Sequence, residues 1–308
     1  MTATSPRQTS LNSIQPTMTH ESLIINLTLY YQTLAALHYI SPSDILSPPT
    51  AIDPDAANEA GLSSEAVSLL RRLPQLSSNL NSLPLLPDGS QPVFYIDAGL
   101  DWSRRPTYQE DAEISGDAFV LTNPNIYGTS LIYDAVSQKL LPWDAWGKHV
   151  ELEIAEIENP FGLEDAKPAE RILGPWVAKL LALEWVPSGE ELVTEPDEDE
   201  VSEKGDVDIL TQLQEKFVKF NSREVYIACG WNDEAEDLDA AKRGFDDELF
   251  EIKKGEWMEQ TKKVLDQAYE EQWNWKRIRS DLRLVQNSKI VSLDDWLPEG
   301  QQMRHIQL

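Results

Sequence analysis

Four histidines and a single cysteine are the residues best suited to proton transfer, nucleophilic attack or transition-metal binding, so their spacing tests those chemistries first. His20, His38, His149 and His305 are scattered, and none stands four residues from another as the paired ligands of a zincin helix must. Cys229 has no second thiol to share a zinc cluster or a disulfide. As a nucleophile it needs a His and an orienting group to converge on it. As a small hydrophobe ending a buried strand it needs neither, and packing is the favoured reading. Glycine-rich phosphate loops and the Gly-flanked nucleophile elbow have no counterpart.

Carboxylates are plentiful, and their spacing decides what they can do. Asp197 and Asp199 match the first two ligands of a calcium loop, but Val201 fills the next ligand position and Ser202 stands where the turn needs Gly. Asn232, Glu234 and Glu236 begin the same pattern and meet Asp237 at the glycine position. No metal site and no cofactor is expected. A glycosidase needs one carboxyl to protonate the leaving group and a second to attack or to activate water. Among 53 acidic residues no pair stands out, so a carboxylate-dependent, glycan-directed hydrolase is the alternative reading and no catalytic residue is assigned. Trp176, Trp257 and Trp273 fall on apolar helix faces and belong to the core. Trp143 and Trp146, flanking Asp144, are the aromatics best placed for a contact surface.

The balance of 53 acidic against 26 basic residues, a formal charge of -27, disfavours nucleic acid and anionic membranes, which require clustered Lys and Arg. Such a field steers basic proteins toward the chain, so a basic protein partner is expected. Glu198, Asp199 and Glu200, in the densest acidic run, join Trp143, Asp144 and Trp146 as candidate contacts. The opening residues are Ser- and Thr-rich and lack the basic start and apolar run of a signal peptide. Polar residues interrupt the apolar stretch 23–40, which excludes it as a membrane span. With one cysteine, these features predict a cytoplasmic or nuclear protein.

These residues must be positioned by elements legible in the pattern. Leu23, Leu27, Tyr31 and Leu34 predict a helix from Glu21 to Tyr39, followed by a Pro-rich loop through Pro54. A second helix starts with a Ser63 or Ser64 cap and ends before Pro74. The period then changes: Val93–Ile96, Ala118–Leu121, Ser130–Tyr133 and Lys139–Leu141 read as strands, the last two as an antiparallel hairpin. Residues 150–154 fit strand or helix. A helix is predicted over Ala166–Val186, kinked or split at Gly174-Pro175. An acidic mobile loop at 187–208, a helix over Ile209–Phe220, a strand over Val225–Cys229 and a long helix from Gly255 toward Leu282 follow. The expected fold class is α+β, with a mostly antiparallel central sheet bracketed by N- and C-terminal helices. Residues 1–20 form a disordered tail, 21–186 carry the sheet, and 209–308 form a helical part packed on the same core.

The order from Phe119 to Asp144 is strand, polar turn with Gly128, strand ending Ile132-Tyr133-Asp134, short joint, strand, then Pro142-Trp143-Asp144. That order resembles the central sheet of the SUKH superfamily of immunity and regulatory scaffold proteins. Leu70-Arg71-Arg72-Leu73-Pro74 and Gly230-Trp231 resemble elements of large fungal proteins near that group. The chain departs in one place: the turn Ala135–Gln138 lacks the Gly usual in the family. The resemblance implies an α+β binding fold without catalytic residues. The leading functional expectation is therefore a non-catalytic intracellular protein-interaction module of regulatory or immunity type.

Overall fold

The computed structural model describes residues 20–96, 100, 102–106, 114–124, 128–144, 165–188, 191–194, 223–256, 259 and 263. The expectations for residues 1–19, 150–154, 209–220 and most of 257–282 lie outside them.

Helix α1 spans Glu21–Ala36 and buries Leu23, Leu27, Tyr30, Tyr31 and Leu34 on the face that the spacing predicts. The Pro-rich stretch is less uniform than a loop. A 3-10 turn occupies Pro42–Asp44 and strand β1 covers Ile45–Leu46. Helix α2 spans Pro54–Glu59, because Pro54 tolerates a first helical turn and Asp53 accepts from the Asp55 and Ala56 amides. Helix α3, Ser64–Leu70, starts from Ser63, whose hydroxyl accepts the Ala66 N–H. Strand β2, Gln75–Leu76, pairs antiparallel with β1.

Only Gln91–Pro92 of the next region is a strand, β3, and the predicted strand Val93–Ile96 is absent. Tyr95 is buried there and donates its hydroxyl to the Val120 carbonyl, a tertiary contact that outweighs the local β propensity. The sheet itself follows: β4 Ala118–Val120, β5 Thr122–Asn123, β6 Thr129–Asp134 and β7 Lys139–Asp144. Strands β4, β6 and β7 form one antiparallel sheet in that order, with Phe119 opposite Tyr133 and Tyr133 opposite Leu140, while β3 pairs with β5. Every strand pairing among the described residues is antiparallel.

Side chains alternate across the pleat, and both faces of this sheet are covered. Phe119, Leu131, Tyr133 and Leu140 enter the main core with α1, α3 and α4, whereas Val120, Ile132, Leu141 and Trp143 form a smaller cluster with Ile114 and Ala166. The outer side of β7 is engaged by Lys167, which exchanges backbone bonds of 2.7 and 2.9 Å with Leu140, and Pro142 offers no amide there. On β4, the Val120 N–H donates to the Ser103 carbonyl at 2.8 Å.

Helix α4 spans Glu170–Leu181 without interruption, so Pro175 does not split it. The bond that Pro175 deletes would have ended on the Arg171 carbonyl. Both residues lie on the exposed face, while Leu173, Trp176, Val177 and Leu180 anchor the other face against α1. The predicted helix end is corrected as well: Trp185 and Val186 belong to strand β8, Trp185–Ser188, paired with β9, Glu191–Thr194. The acidic stretch therefore does not begin as a loop at Pro187. Leu192 is 3% exposed and joins the main core, so its hydrophobic contact holds a hairpin among the acids.

Residues 223–228 form a helix, α5, and not a strand. Tyr226 and Cys229 are buried three residues apart while Ile227 between them is 44% exposed, which is helical spacing. Helix α6 covers Leu238–Lys242, capped by Asp237, and α7 covers residues 247–256, beginning earlier than the predicted start at Gly255.

Candidate functional site

Two histidines, His20 and His38, hold organised polar geometry among the described residues. His20 precedes α1 with φ of 72° and is 3% exposed. Its Nδ1 lies 2.9 Å from the Tyr133 hydroxyl on β6 and its Nε2 lies 3.1 Å from Glu65 Oε1 at the start of α3. Burial, reinforced by the negative charge of Asp134 and partly offset by Arg72, pushes the Tyr133 pKa well up. The phenol thus keeps its proton and donates to Nδ1, leaving an Nε2–H to donate to Glu65. A neutral imidazole completes both bonds. The His20 backbone N–H also donates to Gln138 Oε1 at 3.3 Å. Gln138, in the turn Ala135–Gln138, itself adopts the left-handed conformation with φ of 57°.

His38 faces a different pair. Its Nε2 lies 2.8 Å from Asp247 Oδ1 and its Nδ1 lies 2.6 Å from Glu251 Oε1, two carboxylates one turn apart on α7. Phe245 and Phe250 pack their rings on the imidazole at centroid distances of 5.9 and 4.9 Å. Lys242 reaches Asp247 at 3.0 Å, and Lys254 Nζ donates to the His38 carbonyl at 3.3 Å. Partial burial pushes the Asp247 carboxyl up, but the hydrogen bonds from His38 and Lys242 outweigh it and hold the pKa below the usual range. The signal that could have found this site is the spacing Asp247-x-x-x-Glu251.

Both imidazoles have both ring nitrogens engaged by the protein's own groups, which leaves neither as a base facing a substrate. Cys229 is 3% exposed, and burial raises its pKa, with Asp246 adding to the rise and Lys253 opposing it, so it packs as a thiol. It lies in the turn after α5, not at a strand end. Among the described residues no group of three or more His, Cys, Asp or Glu is arranged to hold a metal ion.

The predicted contact residues separate. Trp143 is 7% exposed, in β7 opposite Ser130, with its ring in the smaller core cluster. It is therefore a core residue and not an exposed contact: the register that sends Tyr133 and Leu140 into one core sends Trp143 into the other. Asp144 ends β7 opposite Thr129, while Trp146, Glu198, Asp199 and Glu200 lie outside the described residues. Among the described residues the exposed aromatic is instead Trp102, 44% accessible, with the Arg105 guanidinium 5.8 Å from its ring centroid. Exposed acids are carried by the region from α5 to α7, where Glu234, Glu236, Asp237, Asp239, Glu248 and Glu256 all face solvent.

Fold and site together define an α+β protein whose segment 223–256 exposes a series of acidic side chains. Comparison of the chain with protein-family models, curated proteins and solved structures gave no match. No helix among the described residues is long and apolar enough to cross a membrane.

Proposed function

We propose that this chain is a non-catalytic protein-interaction module that receives a basic protein partner on its acidic face. The observation that carries this reading is the exposure of Glu234, Glu236, Asp239 and Glu248 on a segment pinned to the main core by buried Tyr226, Trp231 and Phe250. With the formal charge of -27, such a face raises the local concentration of cationic surfaces and speeds encounter. The likeness of residues 119–144 to the SUKH central sheet points the same way, toward a regulatory or immunity scaffold. Trp146, Glu198, Asp199 and Glu200 remain proposed contacts, and Trp102 replaces Trp143 as the aromatic anchor.

The carboxyl chemistry favours binding over glycan hydrolysis. Glu170, Asp247 and Glu259, the described carboxyls with displaced pKa values, are all displaced downward: Glu170 chiefly by the Ser22 hydroxyl, Asp247 against its burial, and Glu259 by Lys263. A general acid requires the opposite displacement.

Stopped-flow association with a basic partner captured from cell extract, from about 50 to 500 mM salt, tests the proposal. The association rate should fall steeply with salt. Replacing Glu234, Glu236 and Asp239 by their amides should lower it several-fold at low salt, with little change in dissociation. A salt-independent rate would refute the electrostatic reading.

A further inference from the structure

The end of α1 is closed by groups from the segment 223–256. His38 follows the helix in the left-handed conformation, with φ of 54°, and the amides of His38 and Tyr39 turn back to the Ala35 and Leu34 carbonyls. The Leu37 carbonyl accepts the Tyr226 hydroxyl from α5, and the His38 carbonyl accepts Lys254 from α7. The His38 ring completes the attachment by presenting both nitrogens to carboxylate oxygens of α7.

Carboxylates only accept, so both contacts are hydrogen bonds only when the imidazole carries two N–H groups. The neutral ring has one, and its other nitrogen would set a lone pair against a carboxylate. This distinguishes His38 from His20, whose partners are one donor and one acceptor. The geometry points to His38 as a pH-operated latch, holding the segment 223–256 against α1 while its ring is doubly protonated and loosening it as the ring becomes neutral.

The ring is faced by charged and titratable groups from each packed element. From α7 these are Asp247, Glu251 and Lys254; from α6, Lys242; and from α5, Tyr226. Burial, with the Glu251 charge adding to it, drives Tyr226 far above its ordinary value, so it stays neutral. Asp247 is lowered, so its contribution is present above the ordinary carboxylate value and is lost only as pH falls through the depressed one. The imidazole makes both bonds only while it carries two N–H groups, and one bond is lost when the ring gives up a proton as pH rises.

Cys229 gives the readout, since it is the chain's single cysteine and is buried within the attached segment. The full chain is labelled with a neutral disulfide reagent, and each rate is divided by that of the urea-unfolded chain at the same pH, which cancels the thiolate fraction. Protection should fall about tenfold between pH ~6 and ~8, the scale that one linked proton sets. His38→Gln should flatten the profile. Glu251→Gln, a change at an exposed side chain, should flatten it too, because an amide can face either form of the ring. Should His38→Gln fail to fold, the Glu251→Gln profile decides alone. A wild-type profile without pH dependence, or one unchanged in the variants that fold, would overturn the latch.

Discussion

Trp143 shows how a single residue changes role with register. Next to Asp144 and Pro142 it reads as a surface aromatic, yet pairing with Ser130 places it on the same pleat face as Leu141 and Ile132. Trp143→Ala should therefore act on stability and not on dissociation of a partner. The expected loss is about 3–5 kcal/mol, as for other large-to-small core substitutions, measured by urea unfolding. A faster dissociation rate at unchanged stability would return the residue to the surface. The same scale separates the two imidazoles: His20 is complete with a donor phenol and an acceptor carboxylate, whereas His38 has two acceptors and no donor among its ring partners.

At the scale of elements, helix ends explain much of what the sequence made legible and what it hid. Helices α1, α2, α4 and α5 all finish with the same pair of reversed backbone bonds around a left-handed residue, at His38, Gly61, Leu183 and Gly230. The glycines are visible punctuation, and Gly61 duly separates two helices. Gly230 carries the same signal, but the high β propensity of Val225-Tyr226-Ile227 predicts a strand there. Burial of Tyr226, Cys229 and Trp231 decided for helix. His38 and Leu183 gave no warning, because a side chain at a left-handed position is held there by tertiary contacts. The meander β4-β6-β7 was readable because its strands are adjacent in sequence, whereas β8 and β9 were obscured by acids around Leu192 and Val193. The His38 site joins residues more than 200 positions apart, so the one local trace it leaves, Asp247-x-x-x-Glu251, does not point to the histidine. One substitution tests the helix-end account. Gly230→Ala puts a Cβ at φ of 93° and drives it into the Gly244 carbonyl. It should cost about 2 kcal/mol or more and speed amide exchange selectively in residues 223–256. Uniform exchange changes across the chain would contradict a local effect.

The whole molecule carries far more negative charge than its folding needs, and compaction brings those charges together. Ionic strength should therefore raise the thermal midpoint by a few degrees between about 0.02 and 0.5 M NaCl, a change on the order of 1 kcal/mol. A midpoint that falls with salt would show that attractive pairs such as Arg223 with Asp233 dominate instead. Against that diffuse repulsion, the three-stranded sheet is buried on both faces and occupied at its margins, by Ser103 on β4 and by Lys167 and Pro142 on β7. A β-strand with free amides and carbonyls is a template on which a second chain can polymerise. Here Leu140 and Val120 already bond the chain's own backbone at Lys167 and Ser103, and Pro142 has no amide to offer. Such margins give crowded copies fewer positions at which to add a strand, a restraint that does not depend on the charges that salt screens.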